Sequence, residues 1–195
     1  MWTRRRFAGW SALSLGAACA SAPPGAAAAF EEQTLFAAGA DGYHTYRIPA
    51  LLTTAKGVVL AFCEGRKQGS GDSGDIAMVV KRSDDGGRTW SRPSVVWDAP
   101  EATCGNPSPV VDRRTGRILL PMTWNHAEDE GRELHRGIGR DTRRVFLAFS
   151  DDEGRTWSPA REITGQAKDP SWWWYATGPG VSIQIERGPH AGRIV

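Results

Sequence analysis

The sequence has no marked excess of charge of either sign, and beyond its first residues it has no long apolar run. Its 24 Lys and Arg nearly balance its 22 Asp and Glu, and no later segment approaches the roughly 20 apolar residues of a membrane-spanning helix. These absences argue against nucleic acid as a partner and against a membrane span. With 40% hydrophobic residues, 23 glycines and 9 tryptophans, the chain is not disordered, collagen-like or a coiled coil. We predict a soluble globular protein.

The first 29 residues have the composition of an export signal. Thr3 to Phe7 resembles the twin-arginine signature, Trp10 to Ala20 is modestly apolar, and Pro23 to Ala29 consists of small residues with an Ala-x-Ala cleavage site near its end. Because these segments follow one another in the order of a signal peptide, we expect residues 1–29 to be removed. The mature protein is then secreted or periplasmic.

Cysteine and histidine are scarce. Only Cys63 and Cys104 follow the leader, and an oxidising compartment could join them. Twin-arginine cargo is generally exported after folding in a reducing cytosol, as that resemblance implies, so the pairing stays open. The four histidines and the acidic run Glu128, Asp129 and Glu130 have no metal-ligand spacing. We predict no metal site, no cofactor, and a solvated loop for the acidic run.

A repeat organises the rest of the chain. Ser83 to Ser91 recurs as Ser150 to Ser158, an offset of 67 residues, and each copy follows a strand-like run, Ile76 to Val80 or Arg144 to Phe149. In each copy, Ser and Asp oxygens can accept hydrogen bonds from the turn's own backbone, Gly permits positive φ, and Trp covers the turn. The repeat therefore predicts a hairpin with a stereotyped turn.

The segments outside the two copies of the repeat also have strand-like patterns. No segment after the leader shows a convincing helical period, and the polar residues 126–143 are expected to form a long loop between strands. The further predicted strands, bounded by Gly, Pro, Asp or Asn, are Tyr46 to Thr53, Gly57 to Cys63, Ser108 to Asp112, Arg117 to Met122 and Val181 to Ile185.

The two copies resemble the Asp boxes, Ser-x-Asp-x-Gly-x-Thr-Trp, of sialidases and similar β-propellers. This resemblance implies an all-β fold, the sialidase-type six-bladed β-propeller. At roughly 40 to 50 residues per four-stranded blade, residues 30–195 supply about the first three blades of a ring that must close to hide its sheet edges. We therefore expect an N-terminal fragment of the catalytic domain. Calcium binding by the acidic pairs is a weaker interpretation, because they lack the spacing of an EF-hand loop.

Three residues match positions that bind the substrate or take part in catalysis in the sialidase family. Arg47, in Arg-Ile-Pro, matches the sialidase arginine that helps to bind the sialic acid carboxylate, and guanidinium suits a carboxylate because its donors form a planar fork. Arg66 matches an arginine near the sugar 4-hydroxyl. Asp72, six residues later, matches the general acid and base. Such an acid must keep its proton near neutral pH, and a closed sugar site can raise the pKa of Asp72 by excluding water.

Two further segments match the family. Asn106, in Asn-Pro-Ser-Pro, corresponds to a position beside the sugar ring and is a candidate substrate-binding residue, although Asn before Pro is also common in turns. Trp172 to Gly180 is similar to the family's Trp-Tyr-Ala-Thr-Gly-Pro-Gly segment; such a cluster is at least as often core, so it is not assigned to the site. Asp75 is expected to be a turn or hydrogen-bonding residue.

The resemblance implies an exo-α-sialidase that hydrolyses terminal sialic acids from glycoproteins, gangliosides and oligosaccharides with retention. In that family a tyrosine is the nucleophile, because a carboxylate would be repelled by the sugar's own carboxylate. The tyrosine, its glutamate partner and two further arginines lie beyond position 195 in the family's order, and Tyr43, Tyr46 and Tyr175 match other segments. We expect the 195 residues alone to be inactive. The alternatives are a non-catalytic Asp-box propeller that binds glycans and a trans-sialidase.

Overall fold

A computed structural model describes residues 31–195 of the chain. The predicted leader, residues 1–29, lies outside the described residues. Within them, nine strands form one sheet, and two short helices lie between the seventh and eighth strands and after the ninth. No described helix is both long enough and apolar enough to span a bilayer. The elements are β1 (Thr45–Thr53), β2 (Val59–Arg66), β3 (Ile76–Ser83), β4 (Ser94–Trp97), β5 (Ala102–Gly105), β6 (Val110–Val111), β7 (Ile118–His126), α1 (Gly131–Arg136), β8 (Arg144–Ser150), β9 (Arg161–Glu162) and α2 (Thr164–Ala167).

The strands form two four-stranded antiparallel units. Strands β1 to β4 pair in sequence as the first blade, and β6 to β9 pair in sequence as the second. Strand β5 lies between them, parallel to β3 at one position, Ile76 to Thr103, and antiparallel to β7. This is the meander order of a propeller blade, repeated once, and it confirms the all-β prediction.

Strands β2, β3 and β7 provide most of the hydrophobic core. Their side chains are buried on both faces over much of their length, which explains why β2 and β3 read as nearly continuous apolar runs. The Trp157 ring of the second Asp box packs edge-on against Phe62 at 5.6 Å between centroids, so the second box covers the first blade. The fully buried core side chains include Leu60, Phe62, Met78, Ile118, Leu120 and Met122.

Both Asp boxes form the turn that the repeat predicts. In each, the first Ser hydroxyl accepts from the N–H of the Gly four residues later, and the Asp carboxylate accepts from the Thr N–H. The distances are 2.8 and 2.9 Å in the first box (Gly87 to Ser83, Thr89 to Asp85) and 2.9 and 2.8 Å in the second (Gly154 to Ser150, Thr156 to Asp152). These bonds stabilise the ionised carboxylate, and they hold the pKa of Asp85 well below its usual range.

Two sequence expectations about secondary structure are wrong. Val181 to Ile185 is not a strand: its only ladder contact is an isolated bridge from Gln184 to Ile194, with backbone bonds between Ile183 and Val195. The side chains of Val181 and Ile183 are exposed. The pattern of residues alone could not show that the segment would pair over so short a length.

The predicted loop 126–143 also contains a helix, α1. It has only six residues, too few to show a helical period. Its end groups are satisfied locally: Glu133 accepts from the Glu130 N–H at 3.1 Å, and Gly137 ends the helix at φ 69°. Asp129, expected to be solvated, is buried and accepts from the Arg140 N–H at 2.9 Å.

Candidate functional site

Arg47 lies on β1 at a β-bulge. The pairing of β1 with β2 shifts between Arg47 and Ala50, and Ile48 between them has φ 58°, a left-handed conformation that is strained for a β-branched residue. The buried Cys63 thiol donates to the Arg47 carbonyl oxygen at 3.0 Å. The bulge thus turns the Arg47 side chain out of the strand ladder. Cys63 and Cys104 are both free and buried, which answers the pairing question.

Three of the predicted site residues converge. Arg47 Nη1 lies 2.6 Å from Asp72 Oδ1, and Arg66 Nη1 lies 3.0 Å from the same oxygen. Arg66 also donates to the carbonyl of Ser70 at 2.7 Å, so a buried guanidinium holds the loop that carries Asp72. The Asp72 side chain itself is 69% exposed. Asp75 pairs instead with Lys67 at 2.8 Å, in keeping with a structural role.

The charge state of Asp72 differs from the expectation. Its partial burial favours the protonated form, but the hydrogen bonds and positive charges of Arg66 and Arg47 outweigh that effect and lower the pKa of Asp72. A raised pKa is therefore wrong for the described structure. The described site thus holds Asp72 as a carboxylate that is paired with Arg47.

Glu64 is a site residue that the sequence reading missed. It is buried, and its Oε2 accepts from Arg66 Nη2 at 2.6 Å and from Nε at 3.2 Å. Its Oε1 accepts from the Asn106 N–H at 3.0 Å. A Cβ at Gly105 would lie 2.2 Å from that oxygen, so only glycine admits the contact. An acidic residue two positions before Arg66 in an otherwise apolar strand was the available signal.

Asn106 is held by the protein on every side. It adopts φ 55°, its Oδ1 accepts from Thr123 Oγ1 at 2.9 Å and from Arg143 Nη1 at 3.2 Å, and its Nδ2 donates to the Gly178 carbonyl at 3.1 Å. Thr177 Oγ1 donates to its carbonyl. Asn106 lines a cavity together with Arg66 and Asp72, and one side-chain amide N–H is all that it can offer a ligand.

Arg143 and Trp174 are further residues that the sequence reading did not assign to the site. Arg143 is 4% exposed and donates from Nε to Asn125 Oδ1 at 2.9 Å. Its guanidinium carbon lies 4.1 Å from the centroid of the Trp174 ring, and that ring stacks on His135 at 4.2 Å. Burial lowers the pKa of Arg143 to about 10, and the nearby Glu64 and Asp72 oppose this shift.

One cavity of about 660 Å³ joins these groups. Glu64, Arg66, Asp72 and Asn106 line one part of it, and α1 residues with Arg143 and Trp174 line another. Arg47 reaches this cavity only through its contact with Asp72. Among residues 31–195, no three His, Cys, Asp or Glu side chains converge as metal ligands.

Comparison with known proteins decides the family. A protein-family model described as "BNR repeat-like domain" matches residues 57–194. The chain belongs to this family. Over 182 residues, 90% of its length, this BNR-repeat chain is 35% identical to a sialidase of Micromonospora viridifaciens. It is also 34% identical over 175 residues, 79% of its length, to an exo-alpha-sialidase of Aspergillus fumigatus. These relatives confirm the predicted resemblance.

Solved structures confirm the fold. The Hadza microbial sialidase Hz136 matches 76% of this BNR-repeat chain and 32% of its own chain, with a TM-score of 0.67 and 32% identity. The intramolecular trans-sialidase of Ruminococcus gnavus matches 83% of the chain and 57% of its own at a TM-score of 0.69, but at 19% identity it is informative about fold alone. The chain spans 28% and 43% of the length of the two curated relatives above.

Proposed function

We propose that the full-length product of this gene is an exo-α-sialidase that releases terminal sialic acids from glycoconjugates with retention. One observation carries the proposal: Arg47 and Arg66 meet on a single oxygen of Asp72 at the edge of a sugar-sized cavity. A cationic fork beside an ionisable acid is what cleavage of an acidic sugar requires, and the sialidase relatives support this choice of substrate.

The contacts suggest how Asp72 becomes an acid. When a substrate carboxylate binds Arg47, it takes over one of the two guanidinium groups that now keep Asp72 ionised. Loss of that contact, together with the negative charge of the substrate, raises the pKa of Asp72. The residue can then take up a proton and donate it to the departing glycosidic oxygen. Substrate binding and activation of the acid are thus one event.

The remaining machinery is part of the same proposal. A tyrosine nucleophile, a glutamate that assists it and two more arginines are expected from the parts of the full-length protein that follow residue 195. A neutral phenol approaches the anomeric carbon more readily than a carboxylate, since the neighbouring sugar carboxylate repels negative charge. Two successive displacements at that carbon give retention.

The test is Asp72→Asn in the full-length protein, with Asp75→Asn as the matched control. We expect Asp72→Asn to lower release of sialic acid from a natural glycan by about 10²- to 10⁴-fold, and Asp75→Asn to leave it unchanged. An aryl sialoside, whose leaving group needs no protonation, should recover most of the lost rate. Equal rates for wild type and Asp72→Asn on the natural glycan would refute the proposal.

Further measurements on the wild-type protein distinguish the other candidate functions. Glycan binding without release by the wild-type protein would indicate a non-catalytic propeller. Transfer of sialic acid to an added acceptor sugar, in preference to water, would indicate a trans-sialidase. Nuclear magnetic resonance of the first product formed reports the anomeric configuration and therefore tests retention.

A further inference from the structure

Glu64 is a buried carboxylate on β2, and both of its oxygens are engaged by protein donors. Its side chain is 4% exposed, although it lines the cavity. Oε2 accepts from Nη2 and Nε of Arg66, at 2.6 and 3.2 Å, and Oε1 accepts from the Asn106 N–H at 3.0 Å. Burying a carboxylate is costly unless it is paired and hydrogen-bonded. Both oxygens of Glu64 thus serve the protein, and the two groups that they hold belong to the site.

Glu64 sets the orientation of the Arg66 guanidinium. The two residues are two positions apart on β2, so their side chains lie on the same face of the strand. Glu64 engages the edge formed by Nε and Nη2, which leaves Nη1 for the loop that carries Asp72. From Nη1, Arg66 donates to the Ser70 carbonyl oxygen at 2.7 Å and to Asp72 Oδ1 at 3.0 Å. Because a guanidinium is planar, a partner on one edge determines where the other donors point.

Glu64 also offsets the charge of Arg66. The side chains of the pair are only 3% and 4% exposed, so little water screens them. A buried guanidinium without the Glu64 partner would act on Asp72 as a full positive charge and keep it ionised even after a substrate had taken up Arg47. The pair with Glu64 weakens this effect of the charge and leaves the hydrogen bond to Asp72 in place.

We propose, given the function proposed above, that Glu64 is a positioning residue: it directs Arg66 to the loop of Asp72 and offsets the charge of Arg66, which lets Asp72 act as an acid. The cationic groups that act on Asp72 are Arg47 from β1, Arg66 from β2 and Arg143 from the segment after α1. A substrate carboxylate neutralises Arg47. Glu64 offsets Arg66 and, at longer range, Arg143. Asp72 can then take up the proton that it donates to the glycosidic oxygen.

The test is Glu64→Gln in the full-length protein, because glutamine keeps the volume and one acceptor oxygen but removes the charge. General acid catalysis requires protonated Asp72, so kcat falls as the pH rises through the pKa of Asp72 in the substrate complex. We expect Glu64→Gln to move this alkaline limb of kcat, measured on a natural glycan, to lower pH by about one pH unit. On the limb itself, kcat should fall about tenfold. An aryl sialoside, whose leaving group needs no protonation, should be affected much less.

Glu153→Gln is the matched control. Glu153 is also a largely buried and ion-paired glutamate, with 17% of its side chain exposed and Lys56 as its partner at 3.1 Å, but it belongs to the second Asp box. Its replacement removes the same charge away from the site. The alkaline limb and the rates on both substrates should stay as they are in wild type.

Glu64→Asp decides the matter if unfolding temperatures show that Glu64→Gln does not fold. Aspartate keeps a negative charge in the buried pair but holds it farther from Arg66, so it should move the alkaline limb in the same direction by less. A purely structural role for Glu64 predicts instead an equal loss of rate on both substrates and an unmoved limb. That result in a folded Glu64 variant would overturn the assignment.

If the wild-type protein releases no sialic acid, the proposed function fails, and a ¹³C nuclear magnetic resonance titration of the ligand-free protein decides the inference. The pKa of Asp72 should be lower in Glu64→Gln than in wild type, because the charge of Arg66 is then no longer offset. The pKa of Asp72 in Glu153→Gln should match that of wild type. An equal or higher pKa of Asp72 in Glu64→Gln refutes the inference, whether or not the protein is an enzyme.

Discussion

Asp72 is an exposed carboxylate whose Oδ1 atom contacts two guanidinium groups. Arg66 is buried and is itself neutralised by Glu64, whereas the Arg47 side chain is 45% exposed and pairs with no other acid among residues 31–195. The two arginines are thus unequal partners. Arg66 belongs to a closed internal pair, and Arg47 is the cation that an incoming anion can take from Asp72.

The first prediction follows from this difference between Arg47 and Arg66 as partners of Asp72. Arg47→Met should raise the pKa of Asp72, because it removes one of the cations that lower it. A ¹³C nuclear magnetic resonance titration of the aspartate carboxyl groups measures the change. Arg114→Met, which removes an exposed arginine from the turn between β6 and β7, should leave the pKa of Asp72 as it is. The same value in Arg47→Met and wild type would mean that the pair does not form in solution.

The direction in which pH changes the contribution of the Arg47–Asp72 pair to the unfolding free energy also follows. The folded-state pKa of Asp72 lies below its ordinary value of 3.8. The ion pair therefore stabilises the folded protein fully above that value, and this contribution is lost as the pH falls through the folded-state pKa. The difference in unfolding free energy between wild type and Arg47→Met should be small, since the pair is exposed, and should shrink on acidification below about pH 4.

At the scale of elements, the two Asp boxes have the same turn but different surroundings. Gly87 and Gly154 occupy equivalent positions, with φ 94° and 78°. A Cβ at Gly87 would have its nearest contact at 3.7 Å, on Trp90, whereas a Cβ at Gly154 would lie 2.8 Å from the methyl groups of buried Leu60. The first turn is open, and the second is packed on the core of the other blade.

Alanine at the two positions should therefore have unequal effects. Gly87→Ala should cost about 1 to 2 kcal/mol of unfolding free energy, the strain of a left-handed alanine. Gly154→Ala carries the same strain and also overpacks the core, which adds about 1 to 3 kcal/mol. Urea-induced unfolding of the two variants measures the difference. Equal destabilisation would show that Leu60 moves aside without cost.

At the scale of the whole molecule, polar contacts join the blades at the site. Glu64 of β2 binds the backbone at Asn106, which lies between β5 and β6, and Asn106 in turn binds Gly178, beyond the second blade. The cavity is therefore a product of the packing between blades. No single hairpin contains more than part of it.

The prediction of export belongs to the same scale, since it concerns where the folded protein acts. Replacing both Arg4 and Arg5 by Lys should block export through the twin-arginine route, although it leaves the net charge unchanged. Cell fractionation and immunoblotting measure the exported share, with Arg6→Lys as the control outside the pair. Normal export of the double variant would show that the leader uses a different route.

The sequence allowed most of the fold to be predicted because blade strands and Asp boxes are local patterns. Alternation and turn residues located β1, β2, β3, β7 and β8 to within a few residues. The short strands β4, β5 and β9 were not predicted, because two to four residues show too little periodicity to be recognised. The helix α1 was not predicted for the same reason.

The sequence by itself determined the box turns and the all-β class, since these depend on neighbouring residues and on motif spacing. The candidacy of Arg47, Arg66, Asp72 and Asn106 came from the resemblance of their motifs to the sialidase family. The tertiary structure decided three other matters: the ionisation of Asp72, the satisfied state of Asn106 and the place of Arg143 in the cavity. Each results from groups that lie far apart in the chain. Electrostatic and hydrogen-bonding energies depend on distances in space, which a linear pattern does not contain.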